Sequence, residues 1–479
     1  MQIFKDSNKY ILKDALGKIL VSFYVEELIN EITVEDIIIA LTNPFICPTF
    51  RISILNPDES VKYEIPLGDI PSGGISYSEN YQNGQRRSLT LKLINKNGKY
   101  TPVVNKGNKY YTNLYDDLNN KQILTDSIGS ILTDNLSNVL VSLKKDDTYM
   151  NKISQNDSHI LIWKNTKFKY DIGLKINGNQ VWFPKGIYIL GNTDLTQDDA
   201  NKEITLQLKD KFARYEDTTG RLLTAYDIPV GSKVKQVIQD LLNTDFGDGY
   251  FLDNKSFILD SSLNNFELQA AIKKEAGDTM GSIFLDIATQ MSCECYYNET
   301  GNLVFSLLNE TTNDQNKAVC WQYLIKNHDL INLSASYDFD NAINMVKVVG
   351  DNVDNGIFSA LVVNTDPRSS ICVGRIGKCP DTPITDANIW SNVLARDLAI
   401  YNLRKKSLIT LSLSATVKYN PLLSVDFLCE IEHEFLNFKR EKCVVNSISY
   451  SDDSGQMSLN ITLIQNLEFL NMGDGGYDV

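Results

Sequence analysis

Apolar and polar residues alternate along several stretches of the chain, which is the pattern of strands that bury one face. In the first hundred residues this period of two is found at 51–56 (RISILN) and 88–95 (SLTLKLIN), with a turn signal at 71–76 (PSGGIS). It returns at 168–176 (FKYDIGLKI) and 203–210 (EITLQLKD). The pattern predicts that the first part of the chain consists of strands joined by turns.

Two later segments carry apolar residues at helical spacing. We expect Ser232 to cap the first helix and the second helix to begin near 278–279. The second helix leads into 293–297 (CECYY) and, after a turn, 303–307 (LVFSL), which predicts a hairpin and a small α/β unit over about 225–310. The apolar stripes of the two helices are Val234, Val237, Ile238, Leu241 and Leu242, and Met280, Ile283, Phe284, Ile287, Ala288 and Met291.

The last third of the chain is again rich in strand patterns. Residues 344–350 (NMVKVVG) predict a strand, and Thr385 or Asp386 is expected to open a helix that ends in the basic run 404–406. One face of each later strand is apolar, as in the wall of a barrel. The predicted strands are 409–417, 426–431, 442–450 and 457–463. The side chains expected to face the barrel core are Leu411, Leu413, Leu459 and Ile461.

Residues 105–158 differ from their surroundings in composition. They are rich in Asn, Asp, Lys and Ser and contain a short repeat with a period of eight at 123–138 (ILTDSIGS, ILTDNLSN). That period is too short for a solenoid module of about 20–45 residues. We interpret the repeat as small hairpins or turns rather than a binding array, and we expect the segment to lie outside the first β domain.

The chain is long and acidic. Its 479 residues, 43% of them hydrophobic, predict about three to four domains with packed cores. It has 46 Lys and Arg against 60 Asp and Glu, which gives a net charge of −14 and a pI near 4.8. Such a chain gains no affinity for nucleic acid from counterion release, so nucleic-acid binding is disfavoured as its main task.

Eight cysteines are scattered along the chain without a C-x-x-C spacing, which predicts reduced, buried thiols rather than a disulfide framework. The N-terminal MQIFKDSNKY lacks the apolar run of a signal peptide. The sequence also lacks a stretch of about 18 apolar residues that would predict a transmembrane helix. We therefore expect a protein that is made in the cytoplasm and has no membrane anchor.

The residue types that carry chemistry form no recognisable site in the sequence. The three histidines, His159, His328 and His433, are far apart, and on a strand His433 would face away from its acidic neighbours in EIEHE. Cys293 and Cys295 share a strand face, but two thiols alone do not complete a tetrahedral zinc site, so core packing is favoured. Phosphate-binding loops, nucleophile elbows and EF-hand spacing are absent from the sequence. We expect no catalytic residues, no metal site and no cofactor.

The order of these elements, together with several phrases, resembles the baseplate hub proteins of phage tails, in the type common in Gram-positive phages and prophages. The resemblance covers most of residues 50–465. Where that family usually has a glycine before an aspartate in the last strands, Val425 precedes Asp426 here. The phrases that carry the resemblance are LINKNGKYTP (93–102), ILIWKNTKFKYDIGLKI (160–176), PKGIYIL (184–190), ITLQLKDKFARYE (204–216), IPVGSKVKQVIQDLL (228–242), AGDTMGSIFLDIATQMSCECYYNETGNLVF (276–305), NMVKVVG (344–350) and VKYNPLLSVDFLCEIEH (417–433).

For the fold, the resemblance implies an α+β, β-dominated protein. It has two tail-tube-like β-barrel domains, an intervening small α/β domain and a helical insertion in the second barrel. The implied limits are 1–224 for the first barrel, which contains the polar insertion 105–158, and 225–310 for the α/β domain. The second barrel would span 311–479, with the helical insertion at about 352–407.

For function, the resemblance implies a structural hub in the tail baseplate of a virion, assembled in the cytoplasm of a bacterial host. A homotrimeric ring would join the sixfold tail tube to a threefold spike or fibre, with strands of 168–210 and 409–463 lining a channel. The implied partners are a tail-tube or distal tail protein on one side and a spike, fibre or tape-measure protein on the other. DNA would pass through the channel without specific binding.

Other functions stay open from the residues alone. One is a tail-associated cell-wall hydrolase or peptidase, although the strands run to about residue 466 and we expect no lysin domain after them. In so acidic a chain a carboxylate pair of the glycosidase kind is also open. Another is a carbohydrate-binding tail module, supported by Tyr- and Trp-containing strands. Core packing is the favoured interpretation of those aromatics, and we expect a protein that is not an enzyme.

Overall fold

The computed structural model has the β-dominated α+β fold that the sequence predicts. The two longest helices have 16 and 11 residues, and strands form most of the regular structure. The residues that the structure describes are 2–6, 9–13, 19–24, 33–43, 46–95, 99–100, 121–123, 141–143, 162, 164–197, 202–244, 252–253, 255–308, 319–325, 329–336, 340, 342–352, 356–407, 412–464 and 467–472.

Strands and helices are numbered separately in chain order. The strands are β1 (Gln2–Asp6), β2 (Lys9–Lys13), β3 (Ile19–Tyr24), β4 (Thr49–Leu55), β5 (Val61–Glu64), β6 (Ile75–Asn80), β7 (Arg87–Ile94), β8 (Lys121–Ile123), β9 (Val141–Leu143), β10 (Lys167–Ile176), β11 (Asn179–Gln197), β12 (Lys202–Asp210), β13 (Tyr226–Ile228), β14 (Ile258–Leu259), β15 (Ile272–Lys274), β16 (Cys293–Tyr297), β17 (Leu303–Leu307), β18 (Trp321–Tyr323), β19 (Leu330–Ser336), β20 (Met345–Asn352), β21 (Gly356–Asn364), β22 (Ile384–Thr385), β23 (Ser412–Lys418), β24 (Leu428–His433), β25 (Phe438–Ser451), β26 (Gln456–Leu463) and β27 (Phe469–Met472). The helices are α1 (Val34–Thr42), α2 (Ala213–Glu216), α3 (Val234–Leu242), α4 (Met280–Gln290), α5 (Val373–Ile376) and α6 (Asn392–Ser407).

One large, almost entirely antiparallel sheet combines strands from the first and last parts of the chain. Its order is β19-β23-β26-β25-β6-β7-β12-β11-β10-β4-β5, and β24 and β18 branch off beside β25. β25 is 14 residues long. Its first part pairs with β24, and residues 447–451 pair with residues 76–80 of β6. This long strand therefore joins the two halves of the sheet through main-chain hydrogen bonds.

The two halves of the large sheet share one hydrophobic core. Tyr77 of β6 lies directly opposite Tyr450 of β25, with ring centroids 4.8 Å apart. Tyr450 also meets Tyr419 edge-on at 5.1 Å, and its hydroxyl donates to the Tyr170 hydroxyl at 3.1 Å. Aromatic pairs of this kind stabilise beyond the area that they bury, so side chains and main chain link the same two halves.

A separate core lies between the two halves along the chain, in the middle α/β unit. α3 and α4 contribute their predicted apolar stripes to it, and every stripe residue is buried. α4 begins at Met280, next to the predicted start near 278–279, and Thr279 caps it, because its hydroxyl oxygen accepts from Ser282 N at 3.3 Å. Cys293 and Cys295 of β16 are almost fully buried in this core, which confirms that they pack there.

The strand predicted at 344–350 is present as β20, and it lies in a second sheet of order β22-β20-β21-β27. α6 covers this sheet and buries Leu394, Ala399 and Leu403 against it. The last turn of α6 carries the basic run 404–406, where positive charge suits the negative end of the helix.

The predicted cap of α3 is wrong. Lys233, rather than Ser232, is the N-cap residue, and it makes no side-chain capping bond. The Ser232 hydroxyl instead donates to Pro229 O at 2.8 Å. The Ser232 hydroxyl is used in the turn that precedes the helix and does not cap it. The sequence rule for capping residues fails here because the turn competes for the same hydroxyl.

The predicted start of α6 is also wrong. The helix begins at Asn392, whereas Thr385 ends β22 and Asp386 closes a turn with its own side chain. Ser391 takes the capping role, because its hydroxyl oxygen accepts from Leu394 N at 3.1 Å.

The first hundred residues contain a helix, α1, where the sequence predicted strands. The capping residue Thr33 exchanges hydrogen bonds with Asp36 in a capping box. The apolar face of α1 packs on β10 and β11. At its C-terminal end, Lys418 Nζ donates to Leu41 O at 2.8 Å and so satisfies a helix-end carbonyl.

Leu413, Leu459 and Ile461 are each 1% exposed, which confirms that they face the core. Leu411 lies outside the described residues. The described part of the insertion 105–158 is the antiparallel pair β8–β9, and the rest of that segment also lies outside the described residues.

All eight cysteines are free thiols, as predicted, and five of them are buried. Cys47 is exposed, and Cys320 and Cys379 are half-buried. In the part of the chain that the structure describes, no helix has both the length and the apolar character to cross a membrane.

Candidate functional site

The main candidate site is the place where both halves of the large sheet meet the middle α/β unit. It surrounds a cavity of about 280 Å³. Its walls come from the start of β7, from β11, from the β16–β17 hairpin and from residues 421–427, which precede β24. We call this region the charged junction, because its lining includes the ionisable residues Glu79, Arg86, Arg87, Lys185, Glu294, Glu299 and Asp426.

Arg87 connects three parts of the charged junction. Its Nη2 lies 2.6 Å from both Glu79 Oε1 and Glu299 Oε1, and its Nη1 donates to Tyr297 O at 2.6 Å. The Ser424 hydroxyl donates to the same Glu299 oxygen at 3.1 Å. Burial opposes the ionisation of Glu299, but the charges of Arg87 and Lys185 together with hydrogen bonds from its own main chain and Ser424 outweigh it and lower the pKa of this carboxyl. One guanidinium therefore links β6, the β16–β17 hairpin and the segment before β24.

Arg86 fixes the β6–β7 turn on the α/β unit. Its Nη2 lies 2.8 Å from Glu294 Oε2, and its guanidinium carbon lies 3.5 Å from the centre of the Tyr296 ring. The main chain adds a bond from Gly84 N to Cys295 O at 2.8 Å. Because Glu294, Cys295 and Tyr296 all lie on β16, the turn is held by an ion pair, a cation–π contact and a hydrogen bond.

Asp210 orients the main chain that carries both arginines. Its Oδ2 accepts from Arg86 N at 2.7 Å and from Arg87 N at 2.9 Å, and its Oδ1 accepts from Phe212 N at 3.1 Å. Burial raises the pKa of Asp210 to about 6, although these hydrogen bonds and the charge of Arg87 lower it in part. A carboxyl whose pKa is well above the usual value of an aspartate therefore lies directly beside the charged junction.

The segment 421–427 reaches the cavity from the last part of the chain. Lys185 Nζ donates to Leu423 O at 3.0 Å, and burial lowers the pKa of this lysine. Asp426 has a φ of 65°, a left-handed conformation that costs a non-glycine residue energy, and its N–H donates to Val445 O at 2.8 Å. The sharp turn before β24 is therefore made at Asp426, one residue after the position where the resembled family usually has glycine.

A second buried charge cluster connects the first half of the chain with the α/β unit. Glu59 Oε1 lies 2.7 Å from Lys211 Nζ and 2.8 Å from Lys167 Nζ, and Glu59 Oε2 lies 2.6 Å from Lys255 Nζ. Lys211 Nζ is also 2.6 Å from Asp253 Oδ2. Burial alone would raise the pKa of Glu59, but the ammonium groups of Lys211 and Lys167 outweigh it and lower this pKa to about 2.

The contacts of the charged junction are suited to holding parts of the molecule together. Glu79, Glu294 and Glu299 are each ion-paired with a buried arginine. Breaking a buried pair leaves an uncompensated charge, which costs about 3–5 kcal/mol. The charged junction therefore strongly favours the one arrangement of the two halves and the α/β unit in which all pairs form.

The large sheet also has two candidate assembly surfaces, the strands β5 and β19 at the two ends of its main path; the short branch strand β18 pairs with β24 alone. Neither strand has a neighbour on its outer side among the described residues. Val61 of β5 is 58% exposed, and Ile331 of β19 is 52% exposed. An uncovered strand edge offers unpaired main-chain groups to another chain, so these edges are places where a partner can add to the sheet.

The structure does not show a site formed by the histidines that the sequence analysis considered. His433 ends β24, where its Nδ1 accepts from Leu436 N at 3.3 Å across the following turn. His159 and His328 lie outside the described residues. Within the ranges that the structure describes, no group of three or more His, Cys, Asp or Glu is arranged to hold a metal ion.

Sequence reasoning missed Arg86, Arg87 and their partners. The available signal was an arginine in the inward register of an alternating strand, since Arg87 shares its face with the buried Leu89 and Leu91. An inward charge requires a buried partner. That partner, Glu299, lies 212 residues away along the chain, and alternation says nothing about contacts at such a distance.

Comparison with solved structures shows that the chain has the fold of phage and prophage tail proteins, which confirms the predicted resemblance at the level of the fold. The tail protein from Neisseria meningitidis MC58 matches with a TM-score of 0.50 and 10% identity, over 86% of this chain and 96% of that one. The 43 kDa tail protein of prophage MuSo2 from Shewanella oneidensis matches with a TM-score of 0.48 and 13% identity, over 87% and 98% of the two chains.

A third similar structure is the prophage tail protein gp18 from Listeria monocytogenes EGD-e, with a TM-score of 0.44 and 10% identity over 86% of this chain and 94% of that one. No protein-family model matches the chain, and no curated protein matches it significantly. At identities of this size the similarity lies in the fold, not in particular side chains.

Proposed function

We propose that this protein is a structural hub of the baseplate of a phage or phage-like tail, and that it assembles as a homotrimeric ring around a channel. The tail-protein fold over most of the chain supports the tail role. One observation carries the proposal furthest: a single sheet runs through both halves of the chain, and its end strands β5 and β19 have no outer neighbour among the described residues.

A sheet whose main path has an uncovered strand at each end is suited to ring formation. If one end of each copy meets the other end of the next copy, the contact is head-to-tail, and a rotation of one third of a turn closes it with three copies. Two tube-like halves in each copy then present six similar units around the axis. Six units suit a sixfold tail tube or distal tail protein on one side, and three copies suit a threefold spike, fibre or tape-measure protein on the other.

The acidic composition supports a conduit for DNA. With a net charge of −14, the protein repels phosphate unless positive charge is concentrated on one surface. We expect the channel wall, built from strands within 168–210 and 409–463, to be neutral to acidic, so that DNA passes without specific binding. The domain limits 1–224, 225–310 and 311–479 belong to the same proposal.

Light scattering of the purified protein, together with the symmetry of the tail particle by electron cryomicroscopy, tests this function. We expect a threefold hub in the particle. Val61→Lys and Ile331→Lys place charge on the two uncovered strands and should reduce trimer formation, whereas Val393→Lys, at a 67% exposed position on α6, is the matched control and should not. A particle without a threefold hub, or a strongly basic channel wall, contradicts the proposal.

A further inference from the structure

Lys211, Asp253 and Glu59 form a buried group outside the charged junction. The exposed fraction of each side chain is 3% or less. Lys211 Nζ lies 2.6 Å from Asp253 Oδ2 and 2.7 Å from Glu59 Oε1. A primary amine is thus held against one carboxyl group while a second carboxylate contacts the same nitrogen.

The surroundings of this group exclude water. The Tyr297 ring centre lies 5.0 Å from Lys211 Nζ, and the Tyr297 hydroxyl donates to Asp253 Oδ2 at 2.8 Å. Gly301 O accepts from Lys211 Nζ at 2.9 Å. Burial lowers the pKa of Lys211, although the charges of Asp253 and Glu59 raise it in part. Moving a proton from an ammonium group to a carboxylate removes two charges. In a buried site of low polarity this transfer is therefore more favourable than the same transfer in water.

We propose that Lys211 and Asp253 become joined by an intramolecular isopeptide bond. The Lys211 ammonium first passes a proton to the Asp253 carboxylate, which yields an amine and a carboxylic acid. The amine nitrogen then attacks Asp253 Cγ and gives its next proton to Glu59, whose carboxylate becomes a stronger base once the Lys211 charge that lowers its pKa has been neutralised. The bond from Cγ to the hydroxyl oxygen breaks, and the proton held by Glu59 leaves with that oxygen as water. One C–N bond forms, one C–O bond breaks, and no oxidant or other reactant is required.

The geometry is close to that of attack. With a normal hydrogen-bond angle, a nitrogen at this contact distance from Oδ2 lies about 3.4 Å from Cγ, within the near-attack range of roughly 3–3.5 Å. The torsion that turns a carboxyl plane is soft. The face of the Asp253 carboxyl turns towards the amine when the hydrogen bond from Lys255 N to Oδ1, at 3.1 Å, opens. Holding both groups in one buried place replaces an encounter in water by a step within the fold.

The bond would be a covalent link between two parts of the molecule. Lys211 directly follows β12 of the large sheet, and Asp253 lies in the segment between α3 and β14 of the α/β unit. The ion pairs of Arg87 connect the same two parts without covalent bonds. An isopeptide bond would keep the first half in contact with the α/β unit even after those ion pairs are broken.

Mass spectrometry of the full-length protein under denaturing conditions tests the proposal directly. Loss of one water makes the linked chain about 18 Da lighter than its sequence mass. Trypsin cannot cut after an acylated lysine, so the digest should contain a branched peptide that joins 210–214 to 236–255, with fragment ions that locate the link. A chain at its full sequence mass that yields linear peptides only would overturn the proposal.

Variants separate the roles of the three residues. Lys211→Arg keeps the positive charge but removes the nucleophilic amine, and Asp253→Ala removes the electrophile; both should show the full mass and lack the branched peptide. Glu59→Gln should lower the fraction of chains that contain the isopeptide bond. If that fraction stays the same, Glu59 is not the proton acceptor. Lys255→Arg alters another ion pair of Glu59 and is the matched control, which should stay linked. A branched peptide that persists in Asp253→Ala would refute the assignment.

Discussion

The side chain of Leu413 belongs to the core that both halves of the chain share, whereas the next residue on the strand faces outward. Leu413→Asp would place an unpaired carboxylate in that core, and we expect it to lower the free energy of unfolding by about 3–5 kcal/mol. Urea unfolding followed by circular dichroism measures the change. Ser458→Asp, on the outward face of β26, is the control and should have little effect; equal losses in the two variants would contradict the assigned register.

Asp210 predicts a dependence of stability on pH. Its pKa is raised to about 6 in the folded protein, so its contribution is fully present below the unfolded pKa and is lost as the pH rises through 6. Lowering the pH from 7 to 5 should therefore add about 1 kcal/mol of stability through this group. Asp210→Asn cannot titrate and should lack this component in urea unfolding at pH 7, 6 and 5. The same pH slope in both proteins would rule out Asp210 as its source.

Among the elements, the β16–β17 hairpin depends on side chains that come from β6 and β7. Arg87→Ala would leave Glu79 and Glu299 buried without their shared partner, and we expect a loss of about 3–5 kcal/mol. Hydrogen exchange should show faster exchange in this hairpin. Arg221→Ala removes an exposed arginine with no buried ion-pair partner among the described residues, so it should change neither quantity noticeably. Unchanged exchange in Arg87→Ala would argue against the linking role of Arg87.

The segment 105–158 carries a separate prediction. Its polar composition and repeated Asp and Gly corners are unsuited to filling a core. Limited proteolysis of the native protein should therefore cut first within this segment. A protected segment together with early cuts in 410–465 would contradict this prediction.

Elements with a strong local pattern were predictable from the sequence, and those that depend on competing local bonds were not. The stripes of α3 and α4 and the alternation around Leu413 agree with the structure because burial enforces the period. The start of α6 was misplaced because Asp386 and Ser391 both have capping chemistry, and the sequence does not say which one a turn will use. α1 was missed although the capping box at Thr33 was a readable signal.

For the whole molecule, we expect a structural rather than a catalytic role. The glutamates of the charged junction that line its cavity are paired with arginines, so none is held ready as a general acid or base. The purified protein should produce no cleared band in a zymogram that contains host peptidoglycan. A known lysin loaded at the same molar amount is the positive control. A clear band from the purified protein would contradict this expectation.

The charged junction itself was beyond prediction from a single sequence. Its residues are separated by hundreds of positions, as Arg87 and Glu299 are, and no local period relates them. What the order of elements did predict is the tail-protein fold, because order and type of element are retained where identity falls to about 10%. The arrangement of the second sheet around β20 also required the structure, since strand patterns do not specify which strands pair.

The pairing of β6 with β25 has a consequence for how the chain folds during translation. Ile75 N donates to Asp452 Oδ1, a residue 377 positions later. At about 5–20 residues per second, a ribosome needs roughly 20–75 s to cover that distance. Throughout this interval Tyr77 and the edge of β6 that pairs with β25 lack their native partners. The nascent chain therefore exposes an unpaired strand edge, which promotes aggregation or binding by chaperones. The emergence of β25 from the ribosome, rather than the folding of any early part, therefore sets the moment at which the shared core can close.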